Sequence, residues 1–229
     1  PTVFEKMSYP STLGTQGTPS FKFGLRKNKI YRGLASVKNG KFKFSFVVPK
    51  DIAYQVDFGK ISLYAFNDSS DASGYKNVLI GGTCNTITND VTGPEITLFL
   101  NDKTFVNGGL NNDHPILLAQ IKDNTGVNTV GNGIGHDITA TLDGNTSTNY
   151  LLNDFYKSEL DNYLEGEGRF PLENISTGPH KISLRVWDVY NNPGRNEIEF
   201  IVAVSEKLAL DHVLNYPNPF STKTEFMFE

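Results

Sequence analysis

Every second residue of KFKFSF, residues 41–46, is a phenylalanine. A pleated strand here puts Phe42, Phe44 and Phe46 on one face and Lys41, Lys43 and Ser45 on the other. Asn39-Gly40 stands immediately before it, the dipeptide favoured in a type I′ hairpin turn because both turn residues need positive φ. The pattern therefore predicts a hairpin whose first arm is KIYRGLASVK, residues 29–38. GKISLYAFN follows, with Ile61, Leu63 and Ala65 alternating against Ser62, Tyr64 and Phe66. Both of its faces are fairly apolar, as in a central strand between two layers.

The polar segment TNDVTGPEI, residues 88–96, interrupts this pattern and reads as a linker around Gly93-Pro94. The same logic then resumes. EITLFLND is a strand. HPILLAQIKD is another, with Leu117, Ala119 and Ile121 on one face and Ile116, Leu118 and Gln120 on the other. HDITATLDG turns Ile138, Ala140 and Leu142 inward and closes on an Asp143-Gly144 turn. HKISLRVW turns Ile182, Leu184 and Val186 inward, and NEIEFIVAV does so with Ile198, Phe200, Val202 and Val204. Short strands with turn signals at regular intervals are the pattern of an antiparallel sandwich. One segment has a different period. Residues 153–166 carry Tyr156, Leu160 and Tyr163 or Leu164 at helical spacing behind Asn153 or Asp154 as a cap, so a short helix and a wide loop both fit.

The expected fold is all-β, with two consecutive antiparallel β-sandwich (Ig-like) domains at residues 1–90 and 93–205. The first is the less complete, because STLGTQGTPS near its start reads as loop. Residues 206–229 read as a linker and the first strand of a truncated C-terminal domain. Pro217 and Pro219 stiffen the spacer. Phe226 and Phe228 then alternate with polar residues in a strand that needs a surface to pack on, or a neighbour to pair with. Both ends of the chain read as cuts in something longer, since it opens at Pro1 without a signal peptide and stops inside that strand.

Composition narrows the function classes. Apolar residues make up 38% and aromatic residues 12% of 229, enough for real cores and too much for disorder. The net charge of −4 offers no basic footprint for a nucleic acid. No apolar run approaches the roughly 20 residues of a membrane-spanning helix. Cys84 is the sole cysteine, which excludes an intrachain disulfide; as a small, buried or half-buried thiol it has a bland reading.

Candidate chemistry is sparse. His114, His136, His180 and His212 have no second His or Cys at zinc spacing, and each lies at a strand end or turn. The glycines of GNGIGHD, residues 131–137, fall between strands and suit a tight loop better than a phosphate cradle. No pair of acids stands out as a glycosidase couple. The best ligand candidate is the NDSSDASG loop, whose Asn67, Asp68 and Asp71 supply oxygens of the kind Ca²⁺ takes; an Asx turn explains the same residues. In WDVYNN, Asp188 and Asn191 or Asn192 are expected to bond their own turn, with Trp187 packed nearby. No cofactor beyond that calcium candidate is indicated.

Four stretches, in order, carry a resemblance: NGKFKFSFVVPKDI, DNTGVNTVGNGIGHDITATLDGN, STGPHKISLRVWDVYNN and LNYPNPFSTKTEFMFE. Together they are similar to the region downstream of the catalytic domain in the gingipain-like (C25-type) cysteine peptidases of Bacteroidetes, above all its type IX secretion sortase branch. The resemblance runs from about Leu34 to Glu229; GVNTVGNGIGHDI and NYPNPF are its specific parts. It implies a surface-exposed parent that removes C-terminal sorting domains from secreted cargo and joins the cargo to a lipopolysaccharide anchor. It also implies a Cys/His dyad in an upstream domain. No catalytic residue carries over, because Cys84 follows an IGGT turn and not the apolar strand of the catalytic motif. The implied partners are that upstream domain and other type IX secretion components, at the outer-membrane cell surface or in the medium. The rival reading is a carbohydrate-binding or adhesin-like module. A single Trp argues against it, while ten Tyr residues keep it open.

Overall fold

The computed structural model describes residues 1–15, 17–84, 89–130, 135–147, 149–203, 214–216, 219 and 222–227. Apart from one 3-10 turn at Asn153–Phe155, every regular element among them is a strand. Val204, His212, Pro217, Phe220 and Phe228 lie outside the described residues, as do positions 131–134 of the glycine-rich loop.

The first sheet holds β1 (Thr2–Phe4), β2 (Lys29–Arg32), β3 (Asp57–Phe66) and β4 (Asp71–Ile80) in the order β2-β1-β3-β4, all antiparallel. β4 occupies sequence read as a loop and then as nothing regular, and its outer edge is unpaired. The Asn39-Gly40 turn forms as its residues dictate, with φ of 52° and 73°. Lys38 and Lys41 exchange backbone bonds of 2.9 and 3.0 Å across it. Beyond that single rung the arms part. Leu34 bridges to Leu160 instead, and residues 42–48 run extended without a ladder. Their phenylalanines still share a face: Phe44 and Phe46 stack on Tyr31 at centroid distances of 5.8 and 4.7 Å. Aromatic packing holds this segment where strand pairing was expected.

β5 (Glu95–Leu100), β6 (Leu110–Asn111), β7 (Ile116–Lys122), β8 (Thr139–Leu142), β9 (Asn149–Leu151), β10 (Tyr156–Ser158), β11 (Glu165–Pro171), β12 (Gly178–Trp187) and β13 (Pro193–Val202) build a two-layer sandwich. One layer has the order β10-β11-β7-β5 and the other β6-β13-β12-β8-β9; only the β6–β13 pairing is parallel. Leu98, Leu100, Leu117, Ala119 and Ile121 from the first layer meet Ala140, Ile182, Leu184, Val186, Ile198, Phe200 and Val202 from the second. Burying each of the larger side chains contributes about 1.5–3 kcal/mol relative to leaving it in water. Over the described residues, the inward sets of β8, β12 and β13 are the ones their alternation predicts; of the two apolar faces of β7, that of Leu117, Ala119 and Ile121 turns into the core.

The helical alternative for 153–166 is not what forms. Tyr156 and Ser158 are buried at 2% and 4% exposure as alternate residues of β10, whereas Leu160 is 55% exposed. Tyr156 enters the sandwich core and Tyr163 packs against the first sheet, so the three do not share a helix face. Across from β10, Gly166 is required: a Cβ there would lie 2.4 Å from the Tyr156 hydroxyl and 2.6 Å from the Lys157 carbonyl oxygen.

The linker is pinned. A Cβ on Gly93 would sit 2.1 Å from the Pro193 carbonyl oxygen, and one on Gly194 2.1 Å from that of Pro94, so the two backbones touch where they cross. At the far end, β14 (Leu214–Tyr216) pairs antiparallel with β15 (Glu225–Met227), opposing Asn215 to Phe226. The Phe226 strand, expected to lack a sheet of its own, has its partner in Leu214–Tyr216.

Candidate functional site

The polar chemistry concentrates where the first sheet meets the sandwich. Three aspartates converge there: Asp90 from the linker, Asp123 after β7 and Asp188 after β12, with carboxylate oxygens all within 4.8 Å of one another. Each sits at the head of an Asx turn. Asp90 accepts from the Thr92 amide at 3.1 Å. Asp123 Oδ1 accepts from the Thr125 and Gly126 amides, both at 2.8 Å. Asp188 Oδ1 accepts from the Tyr190 and Asn192 amides at 2.9 and 2.6 Å, and its Oδ2 from Asn192 Nδ2 at 2.7 Å. Asp188 is fully buried, and that burial, with the Asp123 charge adding, pushes its carboxyl above the usual range. Oxygen donors at this spacing suit a hard divalent cation. Among the described residues no other group of three His, Cys, Asp or Glu side chains converges this way.

Next to it lies a network centred on Asp51. This buried carboxylate accepts from Asn128 Nδ2 at 2.7 Å and Asn191 Nδ2 at 2.9 Å, and pairs with His136 Nδ1 at 2.7 Å. The His136 ring lies against Trp187, 4.3 Å between centroids. Asp51 comes from the N-terminal region and its partners from two sandwich loops, Asn128 and His136 from the β7–β8 connection and Asn191 from the β12–β13 connection. The Lys50 amide donates to the Val189 carbonyl at 3.0 Å beside it.

The residues singled out from sequence fall elsewhere. Asn67 Oδ1 accepts from the Ser69 and Ser70 amides at 3.0 and 2.9 Å, which makes the β3–β4 connection an Asx turn. Asp71 Oδ2 accepts from the Tyr64 hydroxyl at 2.9 Å, and Asp68 is exposed. The Asp188 turn in WDVYNN forms as anticipated, with Asn192 as its side-chain partner, while the Asn191 side chain reaches across to Asp51. Cys84 is exposed, not buried. His114 is exposed and pairs with Asp113 at 2.8 Å. A Ser-His-Asp set does occur: His180 Nδ1 lies 2.7 Å from Asp143 Oδ2, and Nε2 lies 3.4 Å from Ser176 Oγ. It is not a nucleophile dyad. Nε2 points at the Ser176 carbonyl oxygen at 2.6 Å, so both ring nitrogens face acceptors and neither is free to take a proton from the Ser176 hydroxyl. Burial opposes the charged ring, but those bonds outweigh it and hold His180 above its ordinary range.

Sequence reasoning missed the aspartate cluster. The signal was a recurring turn, Asp followed two residues later by a residue whose amide it caps: Asp90 with Thr92, Asp123 with Thr125, Asp188 with Tyr190. Nothing in the sequence places those three turns together.

No known family profile and no curated protein matches the chain. A solved structure does. Over its whole length the chain is similar to PorU. The match is to the crystal structure of dimeric latent PorU from Porphyromonas gingivalis, with 33% sequence identity and a TM-score of 0.50. It covers 100% of this chain and 22% of the PorU chain. The fold is thus all-β, sandwich-type and PorU-related. No described helix is long and apolar enough to cross a membrane.

Proposed function

We propose that this region is a non-catalytic, accessory part of a gingipain-like cysteine peptidase of the type IX secretion sortase kind. Its role is to position an upstream catalytic domain at the cell surface and to dock secretion partners. The observation that carries this is the 33% identity to PorU along the entire chain, at only 22% of PorU's length. Three features support it. In the His180–Asp143 pair, Nε2 is directed at the Ser176 carbonyl oxygen and not at its hydroxyl. The linker is wedged by backbone contact, as a spacer between fixed units would be. The first sheet's region and the sandwich loops meet through a buried polar junction at Asp51. In the parent, deleting residues 1–229 should leave hydrolysis of a short peptide intact while processing of secreted cargo is lost. Peptide hydrolysis by this chain alone that vanishes in Cys84→Ala would sink the reading.

The carbohydrate-binding alternative has one observation in its favour. Tyr64, Phe66 and Tyr75 lie on one face of the β3–β4 hairpin at 62%, 75% and 69% exposure. Glycan-array binding lost in Tyr64→Ala/Phe66→Ala would support it, and a blank array would remove it.

A further inference from the structure

The opened hairpin at residues 33–48 has the attributes of a strand-receiving groove. Its turn is sound, yet after the Lys38–Lys41 rung the two arms separate. The first arm is held away on its outer side: Leu34 O accepts from the Asp161 amide at 3.0 Å, and the Ser36 amide donates to Asp161 Oδ1 at 2.8 Å. The second arm is held by its phenylalanines, stacked one on the next at 6.4 Å and on Tyr31. Between the arms lies an open groove of about 570 Å³, lined by Leu34, Ser36 and Lys38 on one side and Phe42, Lys43 and Phe44 on the other, with Asp161 the single acid against Lys38, Lys41 and Lys43.

Main-chain chemistry tells what fits. Among the described residues, no hydrogen bond involves the backbone of Phe42 to Val48. This is an extended, β-patterned segment with its ladder groups unused, the condition under which a sheet accepts another strand. The side chains narrow the partner further. Lys41 and Lys43 make no ion pair among the described residues, and Lys38 stands at the same groove. Phe42 remains 47% exposed at the end of the aromatic row. We propose that this groove binds an extended segment of a separate polypeptide, one that alternates apolar with acidic side chains. The strand would fill the opened hairpin, setting its apolar residues along the phenylalanine row and its carboxylates against Lys38, Lys41 and Lys43. Charge complementarity selects this occupant over a second copy, because the exposed edge strand β4, DASGYKNVLI, brings one aspartate and one lysine and so no net negative charge.

The test uses the 229-residue chain and a fluorescein-labelled peptide alternating valine and glutamate. Binding should weaken with salt and should slow deuterium exchange at the amides of residues 42–48. Reversing the charges with Lys41→Glu/Lys43→Glu, both exposed positions that leave the aromatic row intact, should weaken the valine–glutamate peptide by about tenfold or more. The same variant should gain affinity for a valine–lysine peptide. The proposal is overturned if neither peptide binds, if binding is indifferent to the charge reversal, or if exchange slows elsewhere and not at 42–48. It is equally overturned if those amides are already protected in the free protein and sedimentation shows a dimer, since a second copy would then hold the groove.

Discussion

The two halves of this molecule are built from the same alternating pattern and end up with very different cores. Among the described residues, the sandwich strands and their loops enclose nineteen buried apolar side chains in one cluster, whereas the first sheet's cluster has four. One of those four, Val130, belongs to a sandwich loop, and Tyr163 from the β10–β11 connection packs beside it. Alternation makes a strand amphipathic, but a core needs a second layer of strands to face it. The sandwich has that layer. The first sheet has a stacked aromatic row and borrowed side chains, and so depends on its neighbour for closure.

The contrast can be broken from the strong side first. Phe200→Ala, at 1% exposure between the two layers, should cost about 3–5 kcal/mol in chemical denaturation. Because Val130 and Tyr163 are carried by the sandwich, it should unfold both halves in one transition. A separate, unshifted transition for the first sheet would show that half to be autonomous. Ile30→Ala in the smaller cluster is expected near the lower end of the large-to-small range, about 2 kcal/mol. Its loss should appear in proteolysis of residues 1–80 before any change in the sandwich.

The junction comes next. Asp51→Ala leaves the buried Asn128 and Asn191 amide groups without their acceptor and His136 without its carboxylate. A loss of about 1–3 kcal/mol follows, read as faster exchange at the Lys50–Val189 contact. Gly166→Ala tests the sandwich against its own tightest contact. With the Tyr156 ring and the Lys157 carbonyl in the way, a cost of about 1–3 kcal/mol is expected, and an unchanged melting temperature would contradict the packing of β10 on β11.

The smallest effect is the pH dependence. His180 is raised, so its folded form holds the proton more tightly than the unfolded chain. Its contribution is complete below about pH 6.5, the unfolded value, and is lost as pH rises through the higher folded value. Asp188, also raised, acts with the same sign at lower pH: stability falls from about pH 3.9 upward as its buried carboxyl is forced to ionise. His180→Gln should flatten the first slope and leave the second.

How much of this was legible follows from the range of the forces involved. Strand faces are set by residues two apart, so the inward sets of β8, β12 and β13 could be read directly, whereas β7 is apolar on both faces and its inward side could not. The Asn39-Gly40 turn was legible for the same reason. Whether its arms then pair depends on Asp161 and Tyr31, which no local pattern reveals. β11 was hidden because Gly166 and Gly168 stand where apolar side chains usually mark a strand, and β4 because seven of its first residues are exposed on both faces. The helical spacing of Tyr156, Leu160 and Tyr163 was real, but the three answer to different neighbours. The aspartate cluster needed three turns from distant parts of the chain, and only the fold brings them together.

The crossing of Gly93-Pro94 over Pro193-Gly194 has a mechanical consequence. Side chains give way by changing rotamer, whereas here main chain rests on main chain with no side chain between. Tension arriving along the linker therefore passes straight into the start of β13, ten residues of ladder paired along their full length to β12. Any twist about that point has to shear the ladder as a unit, which makes the junction a stiff coupling that transmits torque between whatever is attached at its two ends.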